Sequence, residues 1–423
     1  MKKWIAALIC LCLMAGLLAG CGGGNSEIEY YEDEQPAAET SAAGEETAPQ
    51  DAAPAEGESA VESAAEAEGI HIGLGGTGYE TYAPDTVVAT VNGTEVTWME
   101  YYYWLNSYVT QYLQLARQYG VALTSWDAVG ELSSEQSNAD ALIAMAQFSA
   151  EQYHVVQTEA EKLGVTLDDE DAATIASVYD SNADAQGDGD GETTDEERAA
   201  FDEFLAENHV DRALFDYLSE VPLLNDKVFI ATYGEFGEKY SDEATQTFID
   251  ESGVLNAKHI LLLTVDEQTR EPLSEEEIAE KRATAEEIHA RLAEMKDNQD
   301  ALIPAFDELM NQYSEDSGLA AYPDGYIFSE GEMVPEFEEA VKALDENYGL
   351  SDIVESDYGY HIILRQPITP DTVLGQDANG EDVTLRYQAA SQQYSAQLQV
   401  WMDTADVVWN EGFDHPDMQA IFG

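Results

Sequence analysis

Two histidines occupy matching places in the sequence, each at the start of a short apolar run. His259 opens H-I-L-L-L, and His361 opens H-I-I-L. Such runs predict short buried strands, and in an antiparallel pair the residues that face each other lie ~4.5–5.5 Å apart. If these strands pair, the two imidazoles could share one hydrogen-bond network, each ring nitrogen acting as donor or acceptor according to its tautomer.

Three residues between these strands could complete a site. Asp316 lies in the loop sequence S-E-D-S-G, from which its carboxylate could point at the histidines. Met333 and Phe337 are four residues apart, a spacing that predicts a shared helix face and a small apolar pocket. The stretch therefore predicts an apolar cup beside a polar His/Asp cluster, suited to binding a side chain and adjusting an adjacent amide. Two core histidines with satisfied hydrogen bonds are the alternative that these residues leave open.

Other chemistries lack their sequence patterns. No H-x-H, H-E-x-x-H or C-x-x-C spacing indicates a metal site, no G-x-S-x-G indicates a serine nucleophile, and no glycine-rich loop with lysine indicates a phosphate cradle. We expect no cofactor and no metal, and we assign no nucleophile. The acidic loop 184–197 is near EF-hand spacing, but Gln186 stands where the first aspartate should be. We expect a solvated insertion there.

The composition is strongly acidic, with a net charge of −69 and only 17 Lys and Arg. A nucleic-acid partner needs a basic surface, so we expect none. At the amino end, Lys2 and Lys3 precede an apolar run that ends in L-A-G-C. This ending resembles a bacterial lipobox, with Cys21 as the lipidated residue. An ordinary signal peptide with a chance cysteine is the alternative.

The elements that must position the central stretch are predicted to be mostly helical. Residues 22–78 contain no Lys or Arg and little apolar content apart from alanine, which predicts a flexible tether. A hairpin around Asn92-Gly93 should lead into an aromatic-rich helix over about 98–119, capped by Thr97 with Glu100 as capping-box partner. We expect the aromatic stripe of this helix to be core.

More helices are expected further along the chain. The first covers about 134–163, the second begins at a cap at Thr166, and further helices cover about 195–251. A last helix, over about 385–400, is expected to return and pack on the first helices because nothing nearby in sequence could bury its apolar face.

Five ordered motifs in the central stretch resemble the parvulin-type peptidyl-prolyl isomerase family. They are K-H-I-L-L-L, F-D-E-L-M-N-Q-Y-S-E-D, D-G-Y-I-F, G-E-M-V-P-E-F-E-E-A and D-Y-G-Y-H-I-I-L-R. The start V-A-T-V-N-G-T-E-V-T-W-M-E-Y is similar to the chaperone region of SurA-like and PrsA-like foldases. With the lipobox, the whole chain resembles a PrsA-like foldase lipoprotein.

The resemblance implies roles for particular residues. His259 and His361 match the paired active-site histidines, and Asp316 matches a position that the family fills with aspartate or cysteine. Residues that match the substrate pocket and its surroundings are Met333, Phe337, Phe328, Ser356 and Tyr358.

The chain departs from the family pattern at three places. The usual G-G-D-L-G-x-F reads P-D-G-Y-I-F, so Gly325 and Tyr326 change the pocket edge. The usual I-S-D-P-V reads L-S-D-I-V, without its proline. The loop T-V-D-E-Q-T-R-E-P-L lacks the basic cluster of phospho-specific members, so phosphorylated clients are not expected.

These observations predict an α+β protein with a parvulin domain inserted in a mostly α-helical chaperone domain. The expected parts are a lipoprotein signal peptide (1–20), an acidic tether (21–84), a helical chaperone domain (85–254), the parvulin domain (255–367) and a carboxy-terminal segment that packs back on the helical domain (368–423). A homodimer is one option for assembly.

The expected function is that of an extracytoplasmic isomerase and chaperone, held by its lipid on the outer face of the bacterial cell membrane and acting on X-Pro segments of unfolded exported proteins. A holdase whose parvulin domain only binds peptide is the alternative. A solute-binding lipoprotein would show repeated βα units, which this sequence lacks.

Overall fold

The structure, a computed structural model, describes residues 78–118, 124–187, 189–377 and 379–423. The predicted signal peptide, Cys21 and nearly all of the tether lie outside the described residues. The chain forms two compact units. Unit 1 comprises the described residues up to Val228 together with Ser395–Gly423, and unit 2 is Phe229–Tyr394.

The elements are named in chain order. The strands are Val87–Val91 (β1), Thr94–Thr97 (β2), Leu255–Leu263 (β3), Tyr326–Phe328 (β4), Val354–Glu355 (β5), Gly359–Arg365 (β6), Val373–Gln376 (β7), Asp382–Thr384 (β8) and Val407–Trp409 (β9). The helices are Trp98–Gln118 (α1), Asn138–Leu163 (α2), Asp169–Gln186 (α3), Asp195–Glu207 (α4), Arg212–Tyr233 (α5), Asp242–Ser252 (α6), Glu275–Ala293 (α7), Gln299–Tyr313 (α8), Pro335–Ala343 (α9), Leu385–Thr404 (α10) and Met418–Phe422 (α11).

Helices and small antiparallel sheets thus make up both units, and the predicted α+β class is confirmed. None of the helices in the described ranges has the length and apolarity needed to cross a membrane.

Unit 1 combines a three-stranded sheet with a helical core. The sheet has the order β2-β1-β9 and is antiparallel throughout. The predicted hairpin is confirmed, and Asn92 and Gly93 both have positive φ, 50° and 85°, as a tight hairpin turn requires. The aromatic stripe of α1 is core, as predicted. Its buried members are Trp98, Tyr101, Tyr102, Tyr103 and Trp104.

Two predicted helix starts in unit 1 were wrong. The cap of α3 is Asp168 and not Thr166. The Asp168 side chain accepts from the backbone N–H groups of Glu170 and Asp171, and the Asp171 side chain accepts from the Asp168 backbone N–H. Such a reciprocal capping box outcompetes a single threonine two residues earlier. Helix α2 begins at Asn138, four residues later than expected, because the Ser137 side chain caps it.

The capping box predicted for α1 forms only in part. Thr97 Oγ1 accepts from the Glu100 backbone at 3.4 Å, but the Glu100 carboxylate accepts from His154 Nε2 at 3.1 Å instead. Both of these side chains are almost fully buried, with 6% and 4% exposure. Glu100 Oε1, His154 Nδ1 and the Tyr217 hydroxyl have no partner among the described residues. The contact between α1 and α2 therefore contains a buried polar pair.

Unit 2 is built on a four-stranded antiparallel sheet of order β4-β3-β6-β5. Side chains alternate between its two faces. One face, with Ile260, Leu262, Ile362 and Leu364, packs against apolar side chains of α7 and α8. The other face, with Leu255, Ala257 and Ile363, packs against β4 and α9. The second face is also the one on which His259 and His361 fall, since both lie an even number of residues from these positions.

Gly359 lets β6 approach β3 closely, and its replacement by alanine is expected to destabilise unit 2. Its φ is 153°, and an added Cβ would lie 2.2 Å from the carbonyl oxygen of Leu262. We expect the free energy of unfolding to fall by about 2 kcal/mol or more, measured by hydrogen exchange of the β3 and β6 amides.

Gly375→Ala in β7 is the matched control, because a Cβ at Gly375 has no atom within 4 Å. Equal exchange protection in the two variants would show that the close approach at Gly359 does not limit stability.

Candidate active site

The two histidines lie side by side on neighbouring strands, but they do not face each other directly. His259 pairs with Ile363 across β3 and β6, and His361 pairs with Leu261. The histidines are therefore diagonal neighbours, and the prediction of a facing pair was wrong. Diagonal side chains on one face still meet when they are long or aromatic. The two Nδ1 atoms are 3.1 Å apart, and the rings are nearly parallel at 12°.

Asp316 reaches the histidines because its loop continues the pairing of β3. Strand β4 covers only residues 255–257 of β3, and the loop after α8 uses the part left open. The Glu315 backbone donates to the Leu261 carbonyl at 2.8 Å, and the Leu261 backbone donates to Ser314 Oγ at 3.1 Å. Asp316 Oδ2 then lies 3.0 Å from His259 Nε2.

Ser356 extends the network on the other side. Its hydroxyl lies 2.7 Å from His361 Nε2, and it accepts from the Tyr358 backbone at 3.2 Å. An ionised carboxylate only accepts, so His259 Nε2 must carry a proton towards Asp316. One assignment then satisfies every contact: His361 Nδ1–H donates to His259 Nδ1, and Ser356 donates to His361 Nε2.

Burial and hydrogen bonds shift the pKa values of two residues in the network, Asp316 and His361. Burial alone would raise the pKa of Asp316, but hydrogen bonds from His259 and Tyr326 outweigh it and lower the pKa to about 2. Burial, with a smaller contribution from His259, lowers the pKa of His361 to about 3. At neutral pH the site therefore holds an aspartate anion and an uncharged His361.

An apolar group lies directly against this network. The Phe337 ring meets His259 at 5.2 Å and His361 at 5.7 Å, both nearly edge to face. Phe328 lies 5.8 Å from Phe337, and half-buried Met333 packs on the same cluster. The structure thus brings the predicted pocket residues together beside the histidines.

The prediction that Met333 and Phe337 share a helix face was wrong. Helix α9 begins at Pro335 with Val334 as its cap, since proline suits the first helical position. Met333 therefore lies in the preceding loop. Buried Glu338 holds that loop, because its Oε1 accepts from the backbone of Gly331 at 2.7 Å and of Met333 at 3.1 Å.

Tyr358 lies one step away from the network. Its backbone N–H donates to the Ser356 hydroxyl. The Arg270 guanidinium lies over its ring, 4.6 Å from the ring centre. Sequence reasoning missed two residues that shape the site, Glu338 and Tyr326. Tyr326 appeared only as a departure from the family pattern, yet its hydroxyl donates to Asp316 Oδ2 at 2.6 Å.

The arrangement suits noncovalent chemistry on an amide. The polar network can orient a carbonyl or an amide nitrogen, while the aromatic group excludes water from the same place. Among the residues that the structure describes, no group of three or more His, Cys, Asp or Glu could hold a metal ion.

Residues 259–366 match a family model described as Rotamase, PPIC-type PPIase domain. Unit 2 therefore carries a parvulin-type peptidyl-prolyl isomerase domain. The foldase protein PrsA of Halalkalibacterium halodurans is 35% identical over 150 residues, which are 34% of this chain and 35% of the relative. The chaperone SurA of Nitrosospira multiformis is 31% identical over 126 residues, which are 30% of this chain and 24% of the relative. The resemblance to a PrsA-like parvulin foldase is confirmed.

The chain spans 35% and 24% of the lengths of these two relatives. A crystal structure of the peptidylprolyl isomerase PrsA from Bacillus cereus is 18% identical and covers 81% of this chain and 100% of its own, with a TM-score of 0.29.

Unit 2 is expected to lose stability as the pH falls below about 6.5, the ordinary histidine pKa. Folding lowers the pKa of His361 to about 3, so between these values the unfolded chain binds one more proton than the folded chain. The free energy of unfolding should then fall by up to about 1.4 kcal/mol per pH unit. Asp316 adds a loss of the same sign at lower pH, since its contribution disappears as the pH falls from about 3.9 towards 2.

Hydrogen exchange of the β3 and β6 amides between pH 5 and pH 7, after correction for intrinsic exchange, measures this slope. His361→Gln should flatten it, because glutamine does not titrate. Parallel slopes for the variant and the wild type would assign the acid sensitivity to other groups.

Proposed function

We propose that this protein is an extracytoplasmic foldase that catalyses cis–trans isomerisation of X-Pro bonds in unfolded exported proteins. The observation that carries the proposal is the network of Asp316, His259 and His361 lying against Phe337, within a domain that matches the PPIC-type family. The names of the similar foldases and chaperones support the class of client.

The energetics suit such a site. Rotation about a peptide bond crosses a barrier of ~18–20 kcal/mol without breaking a bond. An enzyme therefore needs only to bind the twisted amide better than the planar one. In this proposal Phe328, Phe337 and Met333 hold the proline ring in a dry environment. The imidazoles and Ser356 orient the amide, whose resonance weakens where water no longer supports it.

The test is whether the full chain accelerates isomerisation of an X-Pro tetrapeptide, measured by NMR exchange between the cis and trans signals. Catalysis that saturates with peptide supports the proposal. An exchange rate equal to that of the free peptide at every protein concentration would refute it.

We further propose that Cys21 carries the lipid that holds the protein on the outer face of the cell membrane. The L-A-G-C sequence supports this, as does the extracytoplasmic setting that the similarity to foldases suggests. Mass spectrometry of the mature amino terminus should find a diacylated cysteine, and Cys21→Ala should release the protein into the soluble fraction. An unmodified mature terminus in the wild type would rule out the anchor.

The domain boundaries stay part of this proposal, with a helical chaperone domain (85–254), a parvulin domain (255–367) and a returning segment (368–423). A chaperone activity of its own is the second candidate function. Unit 1 exposes large apolar side chains that could hold unfolded chains. They include Leu115, Phe148 and Leu163.

Full-length His259→Ala/His361→Ala protein separates the two functions. If the helical domain is a chaperone, this variant should still suppress aggregation of an unfolded client as the wild type does. Loss of suppression together with isomerase activity would leave no separate chaperone function.

A further inference from the structure

Tyr326 occupies a place from which it can act on the candidate active site. It is the first residue of β4, and the register puts it directly opposite Ala257 of β3. Because side chains alternate along a strand, Ala257 and His259 share a face, and Tyr326 is the diagonal neighbour of His259. The small side chain of Ala257 leaves room for the ring, which lies 5.7 Å from the imidazole at 74°.

The backbone before Tyr326 is shaped for this placement. Gly325 has φ 95°, a conformation that side chains disfavour, and an added Cβ would lie 2.6 Å from the Ala257 carbonyl oxygen. The chain can therefore turn tightly into β4 against β3. Without this turn, the register that faces Tyr326 towards the site could not form.

The hydroxyl of Tyr326 makes a short bond to the acidic member of the network. It donates to Asp316 Oδ2 at 2.6 Å, the same oxygen that accepts from His259 Nε2 at 3.0 Å. Gly318 leaves space for this hydroxyl, because a Cβ there would lie 2.1 Å from it. The Gly318 backbone also donates to Asp316 Oδ1 at 3.0 Å. The carboxylate is thus held at both oxygens.

We propose that Tyr326 is a positioning residue of this site, which holds the Asp316 carboxylate against His259 and so sets the direction of the hydrogen bonds beneath the proline pocket. With the carboxylate held, His259 Nε2 keeps its proton and Nδ1 remains an acceptor for His361. The His361 ring then presents Nε2 to Ser356. This inference rests on the proposed isomerase function for its effect on rate, but its structural part can be tested without any assay of activity.

Tyr326→Phe removes only the hydroxyl. Tyr322→Phe is the matched control, because the Tyr322 ring packs against Tyr326 at 5.0 Å while its own hydroxyl makes no hydrogen bond among the described residues. Full-length protein labelled with ¹⁵N at its seven histidines reports which ring nitrogen carries a proton. His259 and His361 signals are assigned by their loss in single variants.

We expect wild type and Tyr322→Phe to show His259 protonated at Nε2 over the neutral range. In Tyr326→Phe the His259 signals should indicate a mixture of tautomers. The loss of one charge-assisted hydrogen bond leaves the carboxylate less firmly held against Nε2. Gly318→Ala should have a similar effect, since it displaces the hydroxyl and keeps the ring and the amide.

The rate supplies a second test. The value of kcat/KM should fall about tenfold in Tyr326→Phe, and the hydroxyl should have no further effect in an Asp316→Ala background. Wild-type tautomers of His259 and His361 in Tyr326→Phe would overturn the inference. An inactive wild type with the expected tautomer changes would instead refute the proposed function and leave the positioning role standing.

Discussion

The double variant His259→Ala/His361→Ala is expected to lose about 10²-fold or more in kcat/KM for an X-Pro peptide. The two rings are the centre of the network and the surface against which Phe337 packs. Removing them deletes the groups that orient the amide and opens the dry cup to water, so both contributions to binding the twisted amide are lost. Loss of one well-placed polar group in other enzymes costs about 10²–10³-fold.

The measurement is NMR exchange at matched protein concentration, with His289→Ala as the control. His289, on α7, is the histidine of unit 2 that lies outside the network. Its nearest carboxylate is the exposed Asp352, at 3.7 Å. This control should keep wild-type activity. Retained activity in the double variant would mean that the pocket alone, without the histidines, accounts for the catalysis.

Loss of His154 is expected to reduce the stability of unit 1 strongly. His154→Leu leaves the Glu100 carboxylate buried without its partner, and breaking a buried pair in this way costs about 3–5 kcal/mol. Few other groups could stabilise this carboxylate, because its other oxygen, Oε1, already has no hydrogen-bond partner among the described residues. Burial, and secondarily the carboxylate of Glu100, raises the pKa of Tyr217, so this hydroxyl stays protonated.

Glu100→Leu/His154→Leu is the informative control. Replacing both partners removes the uncompensated charge, so the double variant should regain much of the lost stability. Urea unfolding followed by tryptophan fluorescence is specific for this unit, because all of the described tryptophans belong to it: Trp98, Trp104, Trp126, Trp401 and Trp409. A double variant no more stable than the single one would show that lost packing, and not the unpaired charge, is the cause.

Much of the site could be predicted because its signals are local. The apolar runs after His259 and His361 predicted the strands, and the loop sequence around Asp316 predicted a carboxylate within reach. Alternation along a strand also predicts which face a residue occupies. It does not predict which residue lies opposite, so the diagonal placement of the histidines became visible only with the register of β3 and β6.

The features that sequence reasoning missed depend on distant partners. Glu100 is three residues from Thr97, which favours a capping box, but burial against His154 offers its carboxylate a partner that the local pattern cannot show. Tyr326 acquires its partner only through the register of β4. Met333 is different, because Pro335 marked the helix start in the sequence and could have excluded it from α9.

The pairing of β1 with β9 has a consequence for the order of folding. Ala89 lies opposite Trp409 in the same sheet, so unit 1 closes only when segments from far apart in the chain have met. Unit 2 is one continuous stretch, Phe229–Tyr394, and the pairing of β3 with β6, Ala257 opposite Arg365, spans a much shorter part of the chain. Because contacts between distant segments form late, unit 2 should fold before β9 completes the sheet of unit 1. In the proposed extracytoplasmic setting, a newly exported chain would then hold a folded parvulin-type domain before unit 1 is complete.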